Sequence, residues 1–423
     1  MGERSSGFQG RAVRSWDAGR RSSFSVSRLF GGAATWAQEC WDGPYLLGDP
    51  DRRTRRRTGP EQQGALVMPD PTSPGPGAAA LPSPAFTDGR VTLYHGDAVE
   101  LLRLLPEAGA DALVSDPPYG LNFNGQAWDD AAGFRESLPH LDTAGMTPPE
   151  VFEAWCGEWA AGALQALKPG AHLAAFGGAR TWHRMVRGLE NAGFEIRDQI
   201  AWLHTTGMPK SMDLSHAIDK HLGVQRADRI VQHSEHEGVL GATRSVLSKG
   251  TPVTEEAARW EGWGTALRPA FEPIIIARKP LSDSIVGNVL EHGVGGINID
   301  GGRFADERWP TNVAFDPGQA DALDVLTGTW QGESLSRKFP IFRFEHKPTA
   351  SERPRAYGVS HTTVKPLALM RWLVALVAPV GGVVLEPFAG SGTTVQAAAA
   401  AGFRVVAFEK NAGYVPLIRS RME

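Results

Sequence analysis

The tetrapeptide Asp116-Pro117-Pro118-Tyr119 is the part of this chain best suited to chemistry. It directly follows Asp111–Ser115, whose Ala-Leu-Val run predicts a buried strand. Ligands of open α/β sheets bind beyond the carboxyl ends of strands, and two prolines hold such a loop extended. The exocyclic amine of a nucleobase is a poor nucleophile, because its lone pair is delocalised into the ring. Two acceptors, the Asp116 carboxylate and the Pro117 carbonyl oxygen, could draw that nitrogen towards a tetrahedral geometry. Tyr119 offers a flat face for a base taken out of a duplex. Taken alone, the tetrapeptide also reads as a proline-rich turn after a strand.

A second motif is Glu386-Pro387-Phe388-Ala389-Gly390-Ser391-Gly392-Thr393-Thr394. It lies between an expected strand, Val383–Glu386, and an expected helix, Thr393–Ala401. Gly390 and Gly392 let the backbone approach a ligand, and the helix start at Thr393 offers free N–H groups to an anion. Glu409 ends the next strand, where a carboxylate can accept from both ribose hydroxyls of a nucleoside cofactor. That geometry would suit NAD equally, so the motif by itself indicates only a cofactor containing a nucleoside. In His361-Thr362-Thr363-Val364-Lys365-Pro366, Thr363 and Lys365 are candidates to position the cofactor's amino-acid end, against a simple helix start with proline near its first turn. Asp97, after Gly96, is placed either to accept from the cofactor's adenine or to cap the helix that follows.

Positioning these loops requires a sheet. Val91–Tyr94, Asp111–Ser115, His172–Phe176, Phe194–Leu203, Val383–Glu386 and Arg404–Glu409 read as strands. Asp97–Leu105, Pro148–Leu167, Thr181–Ala192, Pro366–Val377 and Thr393–Ala401 read as helices, the second ended by Lys168-Pro169-Gly170. This alternation predicts a mostly parallel βαβ sheet. Residues 207–359 break the rhythm with many glycines, prolines and polar residues. Residues 1–67 show no sustained period and carry the cluster Arg52, Arg53, Arg55, Arg56 and Arg57. Residues 68–86 are rich in Pro, Gly and Ala and read as a linker. The first 67 residues are expected to be a disordered or non-native extension, with translation starting at Met68; a basic arm touching DNA is the alternative.

The chain of 423 residues is 42% hydrophobic, ordinary for a globular protein, and has no apolar run long enough for a membrane span. Its two cysteines, Cys40 and Cys156, have no metal-ligand spacing, which predicts no metal site and fits a reducing cytoplasm. The net charge is −4, divided into +4 over residues 1–67 (11 basic, 7 acidic) and −8 over the rest (32 basic, 40 acidic). A nucleic-acid partner therefore requires positive charge gathered on one face.

Together these residues resemble the amino-methylating DNA methyltransferases in which the catalytic motif precedes the cofactor motif. The resemblance runs from about Val91 to the end. It rests on Asp116–Tyr119, Phe176-Gly177-Gly178 with Trp202, His361–Pro366, and Phe388–Thr394 with Glu409. Trp263–Pro269, Glu272-Pro273-Ile274, Glu291-His292-Gly293 and Gly295–Asp300 resemble a subset of phage and bacterial methyltransferases. The family's third motif commonly has proline where this chain has Thr362.

The resemblance implies a doubly wound, Rossmann-like α/β sheet of seven strands that binds S-adenosylmethionine, with an inserted target-recognition domain. It places a catalytic half at 87–206, the recognition insert at 207–359 and a cofactor-binding half at 360–423. It implies catalytic roles for Asp116, Pro117, Pro118 and Tyr119, and cofactor contacts from Asp97, Lys365, Phe388, Gly390, Gly392, Thr393 and Glu409. The implied partner is double-stranded DNA, in a setting compatible with a restriction endonuclease, a phage or a homodimer. Asp at the first catalytic position is usual for adenine N6, and Ser for cytosine N4; both amines stay open, as does an RNA or protein-amide target. Cytosine C5 is disfavoured, because it needs a thiolate and neither cysteine sits in a loop after a strand. Trp260, Trp263 and Arg268 are candidates to meet DNA, although tryptophans in such an insert are more usually its small core.

Overall fold

The computed structural model describes residues 80–422 except 206, 208–210, 227–228, 232–245, 249, 305–307, 331, 343–360 and 362. The expectations for residues 1–67, including the arginine cluster and a start at Met68, lie outside the described residues, as does Thr362.

Nine strands form one sheet. They are β1 (Phe86–Asp88), β2 (Val91–His95), β3 (Ala110–Ser115), β4 (Leu167–Phe176), β5 (Glu195–Leu203), β6 (Phe271–Arg278), β7 (Val313–Phe315), β8 (Val383–Glu386) and β9 (Arg404–Glu409). Their spatial order is β1-β2-β9-β8-β3-β4-β6-β5-β7. From β2 to β4 every neighbour is parallel, β6 runs antiparallel to both β4 and β5, and β1 is an antiparallel edge. The seven strands from β2 to β5 are the expected doubly wound sheet, extended by one short strand at each edge.

Side chains alternate between the two faces, as the period of a strand demands. Leu113, Leu385, Val406 and Phe408 enter one core, with Trp155 and Trp159 of the helix Pro148–Ala166 and Met185 and Leu189 of the helix Trp182–Ala192. Ala112, Val114, Val384 and Val405 enter the other, with Leu369, Trp372 and Leu373 of the helix Leu367–Val377 and Val395 of the helix Thr393–Ala400. The helix Pro148–Ala166 begins with proline in its first turn, and the Thr147 amide donates to the Glu150 carboxylate at 2.8 Å.

Two stretches differ from the sequence reading. Strand β4 starts at Leu167 rather than His172, because Lys168-Pro169-Gly170 forms an irregularity within the strand: the register with β3 shifts between Ala110 and Ala112. Residues 207–359 are not one continuous insert, since β6 and β7 come from within them. The run Pro273–Ala277 is buried between β4 and β5, its apolar stretch hidden in the sequence by the surrounding glycines and prolines. The remainder of that stretch includes the helices Leu214–His221, Glu255–Arg259, Ile285–His292 and Pro317–Thr327. Trp260 and Trp263 are 42% and 60% exposed, so they are not its core. Among the described residues, no helix is long and apolar enough to cross a membrane.

Candidate active site

The sheet reverses its winding between β3 and β8, and both motif loops leave from that seam. Ser115, the last residue of β3, donates its hydroxyl to the Glu386 carboxylate at the end of β8. The Phe388 amide donates to the same carboxylate oxygen at 3.0 Å. Burial pushes Glu386 up to about 7, against the hydrogen bonds that favour its ionised form.

In the loop after β8, Gly390 and Gly392 take φ of +52° and +81°, a region that favours glycine. A Cβ at Gly392 would stand 3.1 Å from the Ile418 backbone, so a side chain there would be both strained and tightly packed. No side chain caps the helix Thr393–Ala400, and its first amides have no partner within the helix. Thr393 is buried, its hydroxyl 2.9 Å from that of Ser391. Phe388 anchors the loop, with its ring centroid 5.3 Å from that of Trp155 and 5.6 Å from that of Trp159.

Glu409 is pushed up to about 7 by burial, although it accepts the amides of Gly390 and Asn411, each at 2.7 Å. Asp97 is next to it: β2 and β9 pair in register, and the Gly96 amide donates to the Glu409 carbonyl at 3.0 Å. Asp97 caps its helix through the Val99 amide at 2.8 Å, accepts the Ser137 hydroxyl at 2.6 Å and lies 3.0 Å from Lys410 Nζ. Asp97, Glu409 and the 388–393 loop thus occupy neighbouring strand ends.

In the loop after β3, the Asp116 carboxylate is engaged at both oxygens. Oδ1 accepts the Tyr119 hydroxyl at 2.9 Å, and Oδ2 lies 2.7 Å from Lys365 Nζ. The Asp129 carboxylate shapes the loop, accepting the amides of Tyr119 and Gly120 on one oxygen and those of Leu121 and Phe123 on the other. The Tyr119 carbonyl accepts the Thr181 hydroxyl at 2.6 Å. Pro117 is buried and Pro118 half-buried.

The segment before the helix Leu367–Val377 touches both loops. His361 Nε2 would be 3.2 Å from a Cβ at Gly390, and four residues on Lys365 reaches Asp116. The loops around residues 118 and 391 therefore leave the same edge of the sheet from adjacent parallel strands. Lys365 stands beside Asp116, with Nζ 4.9 Å from the Phe176 ring and 5.3 Å from the Tyr119 ring.

Sequence reasoning gave no role to two residues here. Asp129 binds only backbone amides, which leave no trace in a motif. Glu272, visible as Glu272-Pro273-Ile274, heads β6 and accepts the Tyr119 hydroxyl at 2.9 Å, with Lys365 Nζ 3.2 Å away. Burial acts to raise its pKa, but Lys365 and the neighbouring hydrogen bonds hold it below the ordinary value. Among the described residues, no cluster of His, Cys, Asp or Glu could hold a metal ion.

The chain is similar to several known proteins. Type II methyltransferase M.HindIII of Haemophilus influenzae is 26% identical over 354 residues, which cover 78% of this chain and 94% of that protein. Type II methyltransferase M2.DpnII of Streptococcus pneumoniae is 22% identical over 230 residues, covering 52% of this chain and 85% of its own. The solved M1.HpyAVI–SAM complex aligns with a TM-score of 0.39 at 16% identity, over 79% of this chain and 99% of that one. The cytosine-N4-specific PvuII DNA methyltransferase aligns with a TM-score of 0.46 at 14% identity, over 81% of this chain and 89% of that one. Residues 110–420, well over half of the chain, match the N6/N4 methyltransferase family described as DNA methylase, and the chain belongs to that family.

Proposed function

We propose that this site-specific DNA amino-methyltransferase acts on adenine N6 in double-stranded DNA, with Asp116 as the acceptor for the target amine. The observation that carries this reading is the Asp116–Tyr119 loop, which leaves the sheet beside the glycine loop and carries an acid at its first position. The cofactor is S-adenosylmethionine, which when bound supplies an electrophilic methyl group on a sulfonium. The residues present fit it. Glu409 suits a ribose, Asp97 an adenine amine, and the Gly390–Thr393 turn gives close backbone approach and an uncapped helix start.

The chain's own groups then have defined tasks. Tyr119 stacks on the extruded base. Asp116 and the Pro117 carbonyl orient the amine and withdraw its hydrogens from the ring plane. Asp116, or water, takes the proton the amine loses. Most of the rate enhancement comes from such fixed acceptors and from positioning. The exposed segment around Trp260, Trp263 and Arg268 belongs to the surface that selects the sequence. The Type II relatives suggest a modification role alongside a restriction endonuclease.

The test is direct. The protein is incubated with unmethylated genomic DNA and labelled S-adenosylmethionine, and the digested nucleosides are identified by mass spectrometry. N6-methyladenine is expected. N4-methylcytosine would move the target to the other amine.

A further inference from the structure

Both oxygens of Asp116 are occupied by groups of the protein itself, yet the target amine needs one of them. The two occupants share a second acceptor. Tyr119 has one hydroxyl proton and two carboxylates at 2.9 Å, Asp116 Oδ1 and Glu272 Oε2. Lys365 Nζ is 2.7 Å from Asp116 and 3.2 Å from that same Glu272 oxygen. Its side chain is only 10% exposed, so an ammonium released from Asp116 has little water to turn to. The other Glu272 oxygen stands 3.8 Å from His204 Nε2. Glu272 is the second residue of β6 and pairs there with Trp202 of β5, so its backbone is held in the sheet.

We propose that Glu272 is a positioning residue for methyl transfer: it takes over Lys365 and the Tyr119 hydroxyl when the target amine claims Asp116. This rests on the reading of Asp116 as the amine acceptor. Without a second anion, freeing an Asp116 oxygen would strand a buried ammonium or hydroxyl, and a buried polar group left unpaired is costly. With it, the exchange keeps every donor paired, and the Tyr119 ring stays where a base can stack. Lys365 keeps its proton throughout, because two carboxylates favour the charged form over the effect of burial. The strand reversal of β6 thereby has a functional consequence. It delivers an acid from the middle of the recognition stretch to the catalytic loop.

The variant E272Q retains an acceptor for the Tyr119 hydroxyl but removes the anion that Lys365 needs. The full-length protein is assayed with unmethylated genomic DNA and tritiated S-adenosylmethionine from pH 6 to pH 10, with cofactor affinity measured by calorimetry. The expected result is a kcat lower by about 10- to 100-fold near neutral pH. Cofactor Kd should change by less than about twofold, because the cofactor residues lie across the seam. The deficit should shrink at high pH, as Lys365, now held by one carboxylate, loses its proton and frees Asp116. E272D, which keeps the charge, should recover most of the loss.

An E272Q enzyme with wild-type kcat would overturn the inference. So would a loss that is independent of pH and matched by a loss of cofactor affinity, which would mark a merely structural role. If E272Q does not fold, E272A carries the test: it also removes the anion and should lower kcat by about 10- to 100-fold with cofactor Kd unchanged, and an unaltered kcat overturns the idea. D116N separates the two readings. A fully active D116N would remove the underlying reading of the site, whereas an inactive D116N beside a fully active E272Q would remove only this one.

Discussion

The Ser115 hydroxyl donates to the Glu386 carboxylate, tying together two residues 271 positions apart at the seam where the Asp116–Tyr119 and Phe388–Thr393 loops diverge. The pair fixes the spacing of those loops, because each residue ends its own strand. Its cost is a fully buried carboxyl group whose pKa is raised to about 7. A carboxyl raised in the folded state contributes full stability below its unfolded pKa of about 4.5, and that contribution is lost as pH rises through about 7. Glu386→Gln keeps a carbonyl acceptor for Ser115 and the Phe388 amide but never ionises. Its stability relative to wild type should therefore improve between pH 5 and pH 8, by up to about 3 kcal/mol from a shift of this size. Denaturant unfolding at the two pH values checks this, and a difference unchanged with pH would refute it.

Asp129 should matter as much as a residue that touches substrate. Its carboxylate satisfies four backbone amides of the loop after β3, two on each oxygen. Asp129→Ala leaves those donors without their acceptor, and the Tyr119 backbone loses its anchor. The expected result is a fall in kcat of about 100-fold, as for a loop displaced by a fraction of an ångström to an ångström. Cofactor affinity should change little, because Asp97, Glu409 and Gly390 are untouched. Asp129→Asn keeps one oxygen and should fall between the two. Steady-state kinetics with cofactor calorimetry make the comparison.

Much of this layout is legible in the sequence, for a physical reason. The strands β3, β8 and β9 are short apolar runs bounded by Asp, Pro or Gly, and parallel strands buried on both faces have to read that way. The loops after them carry rigid or flexible residues that strands and helices reject. Pairings across the chain are not legible. Lys365 is visible as a candidate, but its partner Asp116 lies 249 positions away, and nothing local to either residue specifies the contact. Strand β6 is concealed because glycines and prolines on either side mask its apolar run. Trp260 and Trp263 show that residue type does not fix burial in a segment without period, since both are exposed despite the usual preference of tryptophan.

That exposed segment makes a prediction about DNA. Leu267 is 92% exposed and Trp263 60%, and Leu267 lies five residues before Glu272. Five extended residues span at most about 17 Å, so the segment stays near the catalytic loop. Trp263→Ala should weaken DNA binding by roughly 1–3 kcal/mol, the range for a lost stacking contact, without changing the salt dependence. Arg268→Ala should weaken it and lower the salt slope by about one unit, if it meets a phosphate. Fluorescence anisotropy over a range of salt concentrations measures both, and wild-type affinity in both variants would place the DNA elsewhere.

As the proposed ribose acceptor, Glu409 would give cofactor binding a pH dependence. Burial raises its carboxyl to about 7 in the unliganded protein. Ribose hydroxyls are donors and favour the ionised form, so binding pulls that pKa down and is coupled to proton release. Affinity for S-adenosylmethionine should then be flat above pH 8 and weaken below pH 7, approaching tenfold per unit in the limit. The cofactor's own amino group also titrates near neutrality, and Glu409→Gln isolates the protein's share. That variant should bind more weakly at pH 8 and lose the acid-side decline, because an amide does not ionise. Titration calorimetry at pH 7 in two buffers of different ionisation enthalpy should show proton release by wild type and less by the variant. Equal proton release, with parallel pH profiles for the two proteins, would exclude Glu409 as the ribose acceptor.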